Sequence, residues 1–103
     1  MGTLRLRDVL TAPFVLRSES IEREDGSWVR VLSYPELGCS IAGSSMLAAM
    51  DELELDRVRT LVQGVERGTL PRTLRRPVPD VGVEETLDRA GLGTWIARLD
   101  DEI

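Results

Sequence analysis

The chain offers few residues for chemistry. Cys39 is its one thiol, placed just after a Pro35-Glu36-Leu37-Gly38 corner. A nucleophilic thiol needs its pKa lowered by a histidine, a metal or a cationic pocket. The chain has no histidine, which removes His-based acid–base catalysis, Ser-His triads and His-ligated metals together. Cys39 therefore reads as a small buried filler. Carboxylates occur as neighbours, at Glu24-Asp25, Asp51-Glu52, Glu84-Glu85 and Asp100-Asp101. Acid–base or metal work needs carboxylates that converge from separate elements, so these pairs read as solvated charge. Gly38 and Gly43-Ser44-Ser45 lack the lysine and the glycine spacing of a phosphate loop. Arg72, Arg75 and Arg76 form the one basic cluster; among prolines, they read as an edge solubiliser or as partners for nearby acids. No catalytic, cofactor-binding or metal residue is assigned, and an enzyme is not expected.

Binding is the chemistry that remains. Trp95, Ile96 and Leu99 follow a Gly91-Leu92-Gly93 break and are followed by Asp100 and Asp101. Two readings are open for them. They fold back on the sheet, or they form an amphipathic anchor for a partner's groove with Trp95 as the hot spot. On the second reading Trp95, Ile96, Leu99, Asp100 and Asp101 are the partner-binding residues.

The bulk numbers set the frame. With 103 residues, the chain is one domain with one modest core. Aromatics are 4%, so that core is aliphatic. The net charge of -5 disfavours direct nucleic-acid binding, which needs a basic face, and suits a basic protein partner. All 13 basic residues are arginine, and lysine, asparagine and histidine are absent, as a GC-rich coding sequence would give. No apolar run approaches the roughly 18 residues of a membrane span. The N-terminal MGTLRLRDVL lacks the apolar core and cleavage site of a signal peptide. A cytoplasmic protein is expected, and a single cysteine fits a reducing compartment.

The elements that position these residues follow from period and punctuation. Residues 1–13 read as a partly ordered N-terminal arm; the Leu6, Val9, Leu10 spacing also fits one helical turn, and Leu4–Leu6 a strand end. Phe14–Glu22 alternates as a strand, and Asp25-Gly26 supplies a hairpin turn. Trp28–Tyr34 is its partner strand, with Trp28, Arg30, Leu32 and Tyr34 on one face and Val29, Val31 and Ser33 on the other. Both faces carry apolar residues, which suggests a helix over one and a partial cover, even a partner chain, over the other. Pro35 and Gly38 break the strand, and Cys39–Ala42 is a short third strand. Ser45 caps a helix from about Met46 to Glu66, with an apolar stripe of Leu47, Met50, Leu53, Leu61 and Val65 flanked by Ala49, Val58 and Val62. Gly64 weakens its end, and Gly68 is a natural C-cap. Thr69–Pro79 is extended, with an edge strand at Arg72–Arg75. Val83–Ala90 is a short helix with Glu84 and Glu85 well placed in its first turn, and Thr94 caps a final turn or two. The fold class is α+β: a three- to four-stranded, mostly antiparallel sheet (residues 14–79) with one long helix on one face, and a short helical tail (80–103).

Several residues in this order form a pattern. Asp25-Gly26 precedes an aromatic strand start at Trp28. Pro35-Glu36-Leu37, then Gly38-Cys39, Gly43 and Ser45 lead into a helix with Ala49-Met50. This stretch resembles the HicB-like antitoxin domain, across roughly residues 14–70. It departs from that pattern in lacking a second proline between Leu37 and Gly38, in a longer strand before Pro35, and in Leu47-Ala48 where an acidic pair is usual. The resemblance implies a partial ribonuclease-H-like fold without its catalysis. It implies a protein that neutralises a small basic toxin ribonuclease by covering its active site, and it makes Cys39 a packing position. Operator-binding domains found in many members have no counterpart in the short, acidic tail. The alternative is an accessory or adaptor subunit of a larger bacterial assembly, docked through residues 80–103. Sheet-edge pairing into a homodimer is compatible with either.

Overall fold

A single long helix, α2 (Met46–Arg67), runs through the middle of the structure. The structure is a computed structural model that describes residues 4–71, 74–79 and 82–103. The Ser45 side chain accepts the Ala48 N–H at 3.3 Å, satisfying one of the free donors at the helix start. Gly68, at φ 67°, ends the helix and donates its N–H to the Gly64 carbonyl. Gly64 does not end it. A Cβ there would stand 3.0 Å from the Leu70 side chain, so this glycine lets the returning chain close against the helix.

The N-terminal half of α2 lies on a three-stranded antiparallel sheet of order β1-β2-β3, made by β1 (Arg17–Glu22), β2 (Trp28–Tyr34) and β3 (Cys39–Gly43). Leu32, Tyr34 and Cys39 point at the helix and form a buried cluster with Ala49 and Leu53. Val29 and Val31 stand on the opposite face. The first strand starts three residues later than its alternation predicts. The Val15 N–H is bound at 2.7 Å by the Glu36 carboxylate, not by β2, so residues 12–16 are extended but outside the ladder. A 3-10 turn, Pro35–Leu37, joins β2 to β3 and closes on Gly38 at φ 70°. Only a residue without Cβ takes that left-handed conformation at little cost.

The C-terminal half of α2 belongs to a second and larger cluster. Val58, Leu61 and Val62 meet Leu6, Val9 and Leu10 of α1 (Leu6–Thr11), Val83 and Leu87 of α3 (Val83–Arg89), Ala90, and Leu99 beyond the 3-10 stretch Gly93–Arg98. Residues 6–11 of the expected N-terminal arm thus form a packed helix, the turn that their spacing allows. Leu6, Val9 and Leu10 fall on one helical face, and that face is buried. Asp8 accepts the Arg5 N–H at 3.0 Å and closes the first turn of α1. The apolar stripe of α2 is also turned from its expected phase, because Leu47 is 85% exposed while Ala49 and Leu53 face the sheet. Part of the expected edge strand at Arg72–Arg75 lies outside the described residues. Residues 74–79 join no ladder.

Candidate functional site

The five residues of the expected docking segment are held by the chain itself. Leu99 is 2% exposed and sits in the larger cluster. Trp95 and Ile96 are half-buried against that cluster, and the Arg98 guanidinium lies 4.3 Å above the Trp95 ring centroid. Asp100 accepts from Arg7 Nε at 3.3 Å, and Asp101 pairs with Arg98 at 3.5 Å. The backbone ties the same segments together. Arg7 N–H donates to the Leu99 carbonyl at 2.8 Å, Leu6 N–H to that of Asp101 at 3.0 Å, and Ile103 N–H to that of Leu4 at 2.9 Å. The segment folds back onto α1 and α3 rather than onto the sheet, with Leu99 buried and Asp100 and Asp101 exposed. The reason is the apolar face of α1, which needs a cover that Leu99 supplies.

The residues of the corner motif occupy structural posts. Gly26 turns the hairpin at φ 84°, Pro35 opens the 3-10 turn, and Gly43 ends β3. Cys39 is buried, with Sγ 3.2 Å from Thr60 Oγ1. Trp28 differs from its expectation. By the strand's alternation it lies on the helix-facing side, yet it is 62% exposed; β3 ends at Gly43 opposite Arg30 and does not reach it.

The polar cluster that sequence reasoning missed is Tyr34, Glu54 and Arg57. It lines a cavity of about 280 Å³ together with Thr11, Pro13 and Phe14. The Tyr34 hydroxyl donates to Glu54 Oε1. Burial, then that hydrogen bond and the Glu54 charge, push the Tyr34 hydroxyl above its ordinary range, so it stays protonated and is no base. Arg57 is 7% exposed. Its Nη2 donates to the carbonyls of Leu10 at 2.7 Å and Ala12 at 3.2 Å, and its Nη1 lies 3.6 Å from Glu54 Oε2. These bonds cap the end of α1 and tie it to α2. The arrangement is a clamp whose donors are already spent. A sequence signal did exist: Arg57 interrupts the buried face of α2 between Leu53 and Leu61, at helical spacing from both.

Of the described members of the arginine cluster, Arg75 is engaged and Arg76 is exposed. Arg75 Nη1 binds Glu36 at 2.8 Å, and the Glu36 carboxyl is held below its usual range by Arg75 and by the Val15 N–H. Among the described residues, no group of three acidic or thiol side chains is placed to hold a metal ion. No described helix is long and apolar enough to cross a membrane.

What stays uncovered is one end of the sheet. Met46 and Leu47 open α2 only three residues after β3 ends, so they stand at the same end as Trp28. All three are exposed. Glu22 pairs with Trp28 across the hairpin, and Glu52 is exposed near the start of α2. Neither forms an ion pair among the described residues. The surface is thus apolar with Glu22 and Glu52 at its rim. No family model matches the chain, nor does any curated protein or solved structure.

Proposed function

We propose that this protein is a non-catalytic binding module. Its recognition surface is the hairpin end formed by Trp28, Met46 and Leu47, and its partner is a small basic protein. In line with the HicB-like resemblance, that partner is a toxin ribonuclease, and the module neutralises it by covering its active site. The observation that carries the reading is the exposure of a tryptophan and two long aliphatic side chains at one end of a domain whose other large side chains are mostly packed. A free-standing module of this size gains nothing in stability from leaving Trp28 and Leu47 in water. Burial of such anchors in a partner is where interface energy concentrates. The net charge of -5 steers a basic partner in and repels nucleic acid. The adaptor reading is less favoured here, because Leu99 is buried and residues 99–103 already bond to residues 4–7.

Capture from the native host, with the full chain as bait, tests this. The expected result is a small basic protein in near-stoichiometric amount whose ribonuclease activity falls as the bait is added back. Trp28→Ser with Leu47→Ser should lose it, and Trp95→Ala should keep it. Equal capture by all three baits, or loss only with Trp95→Ala, contradicts the proposal.

A further inference from the structure

Strand β1 is exposed along its whole length and, among the described residues, pairs on one side only. Its outward backbone groups can be identified. Arg23 N–H donates to the Ser27 carbonyl at 2.7 Å, and Ser20 pairs with Arg30 where Ile21 pairs with Val29. Antiparallel alternation then turns the N–H and C=O of Ile21, Glu19 and Arg17 towards β2, and those of Ser18, Ser20 and Glu22 outwards. The side chains along this edge are also unspent. Arg7, Arg59, Arg75, Arg89 and Arg98 are each ion-paired. Arg17, Glu19 and Arg23 make no ion pair among the described residues.

We propose that β1 pairs antiparallel with β1 of a second copy, centred on Ile21, to give a twofold dimer with a continuous six-stranded sheet. A twofold axis normal to a sheet keeps each face on its own side, so a residue of the centre's parity meets one of the same parity. Centring on Glu19 or Glu22 would oppose that carboxylate to itself, and centring on Ser20 would oppose Arg17 to Arg23. Two registers avoid such repulsion. Centring on Ser18 would bring the second copy's Asp25 turn opposite Thr11. The Thr11 carbonyl already accepts the Val78 N–H at 3.2 Å, and Arg75 Nη1 reaches the Pro13 carbonyl at 3.3 Å, so that flank is taken. Centring on Ile21 leaves it alone. It sets Ile21 against Ile21 of the second copy in a non-hydrogen-bonded pair, where side chains approach closest, beside the Val29 of each copy. It sets Glu19 against Arg23, twice, and brings each Arg17 to the other copy's Asp25 turn. Ser20 and Glu22 exchange backbone hydrogen bonds across the axis.

Charged residues on an edge strand also serve to keep a sheet solitary, and the experiment separates the two roles. Sedimentation equilibrium of the full chain, from micromolar to millimolar concentration, should show mass rising from 11.5 kDa towards twice that. Glu19→Arg should weaken association at least ~tenfold, with an unchanged far-ultraviolet circular dichroism spectrum. Adding Arg23→Glu to it should restore association. A wild-type chain that stays monomeric throughout overturns the dimer. Unaltered association of Glu19→Arg, or rescue by Arg17→Glu in place of Arg23→Glu, overturns the register.

Discussion

Tyr34 is the residue whose titration the fold controls most directly, and the composition makes it easy to observe. It is the one tyrosine in a chain without lysine, so few other groups change charge at alkaline pH. Desolvation first, then the bond to Glu54, raise its pKa above the ordinary 10.0. In the unfolded chain it ionises near that ordinary value. The sign follows: above it, the folded state binds more protons than the unfolded state, so stability falls as pH rises. The contribution of neutral Tyr34 is complete below the unfolded pKa and is lost on the way up to the folded one. Urea midpoints taken from about pH 9 to about pH 11 should therefore drop steeply for the wild type and less for Tyr34→Phe. Parallel curves for the two proteins would contradict the coupling. At this scale the sequence was partly legible. The absence of histidine excluded a range of catalysis, and the glycine and proline corner fixed Cys39 as a packing residue. Arg57 was not legible as a clamp, because its acceptors are the carbonyls of Leu10 and Ala12, far away in sequence and unmarked by any side chain.

At the scale of elements, local signals and long-range ones fared differently. The Asp25-Gly26 turn, the strand Trp28–Tyr34, the Ser45 cap and the Gly68 stop are local chemistry, and the structure has all of them where period and capping place them. The pairing of the two termini is non-local. Nothing in Leu6-Val9-Leu10 says that Leu99 is what buries them. Residues 1–13 and 80–103 therefore looked peripheral, while Leu6, Val9, Leu10, Val83, Leu87, Ala90 and Leu99 join the second half of α2 in the larger of the two clusters. This has a measurable consequence. Leu99→Ala removes a fully buried side chain from between α1 and α3 and should cost ~3 kcal/mol of unfolding free energy. Trp95→Ala, from a half-buried position, should cost less. Chemical denaturation of both variants checks the order. A Leu99→Ala protein as stable as the wild type would mean that the tail is only draped on the domain.

At the scale of the whole molecule, α2 is an axle with a different core at each end. Its second half is enclosed by α1, α3 and the C-terminal segment. Its first half carries a hairpin that extends beyond it, and the molecule is elongated, 52 × 26 × 25 Å. The enclosed end supplies stability. The hairpin end holds the exposed Trp28, Leu47 and Ile21 and a strand edge unpaired among the described residues, and it is the end proposed to meet other proteins. Alternation in β2 hinted at this, since both of its faces carry apolar residues. The exposure of Trp28 was not legible, because it depends on where β3 stops and how α2 is rotated, and neither is written in local pattern. The division between the ends is open to one direct measurement, amide hydrogen exchange of the full chain, alone and bound to its captured partner, at a fixed concentration. Slower exchange confined to residues 28–30 and 45–48, with residues 93–103 unchanged, is the predicted result. Protection of residues 93–103 with the hairpin end unaffected would contradict it and return recognition to the tail.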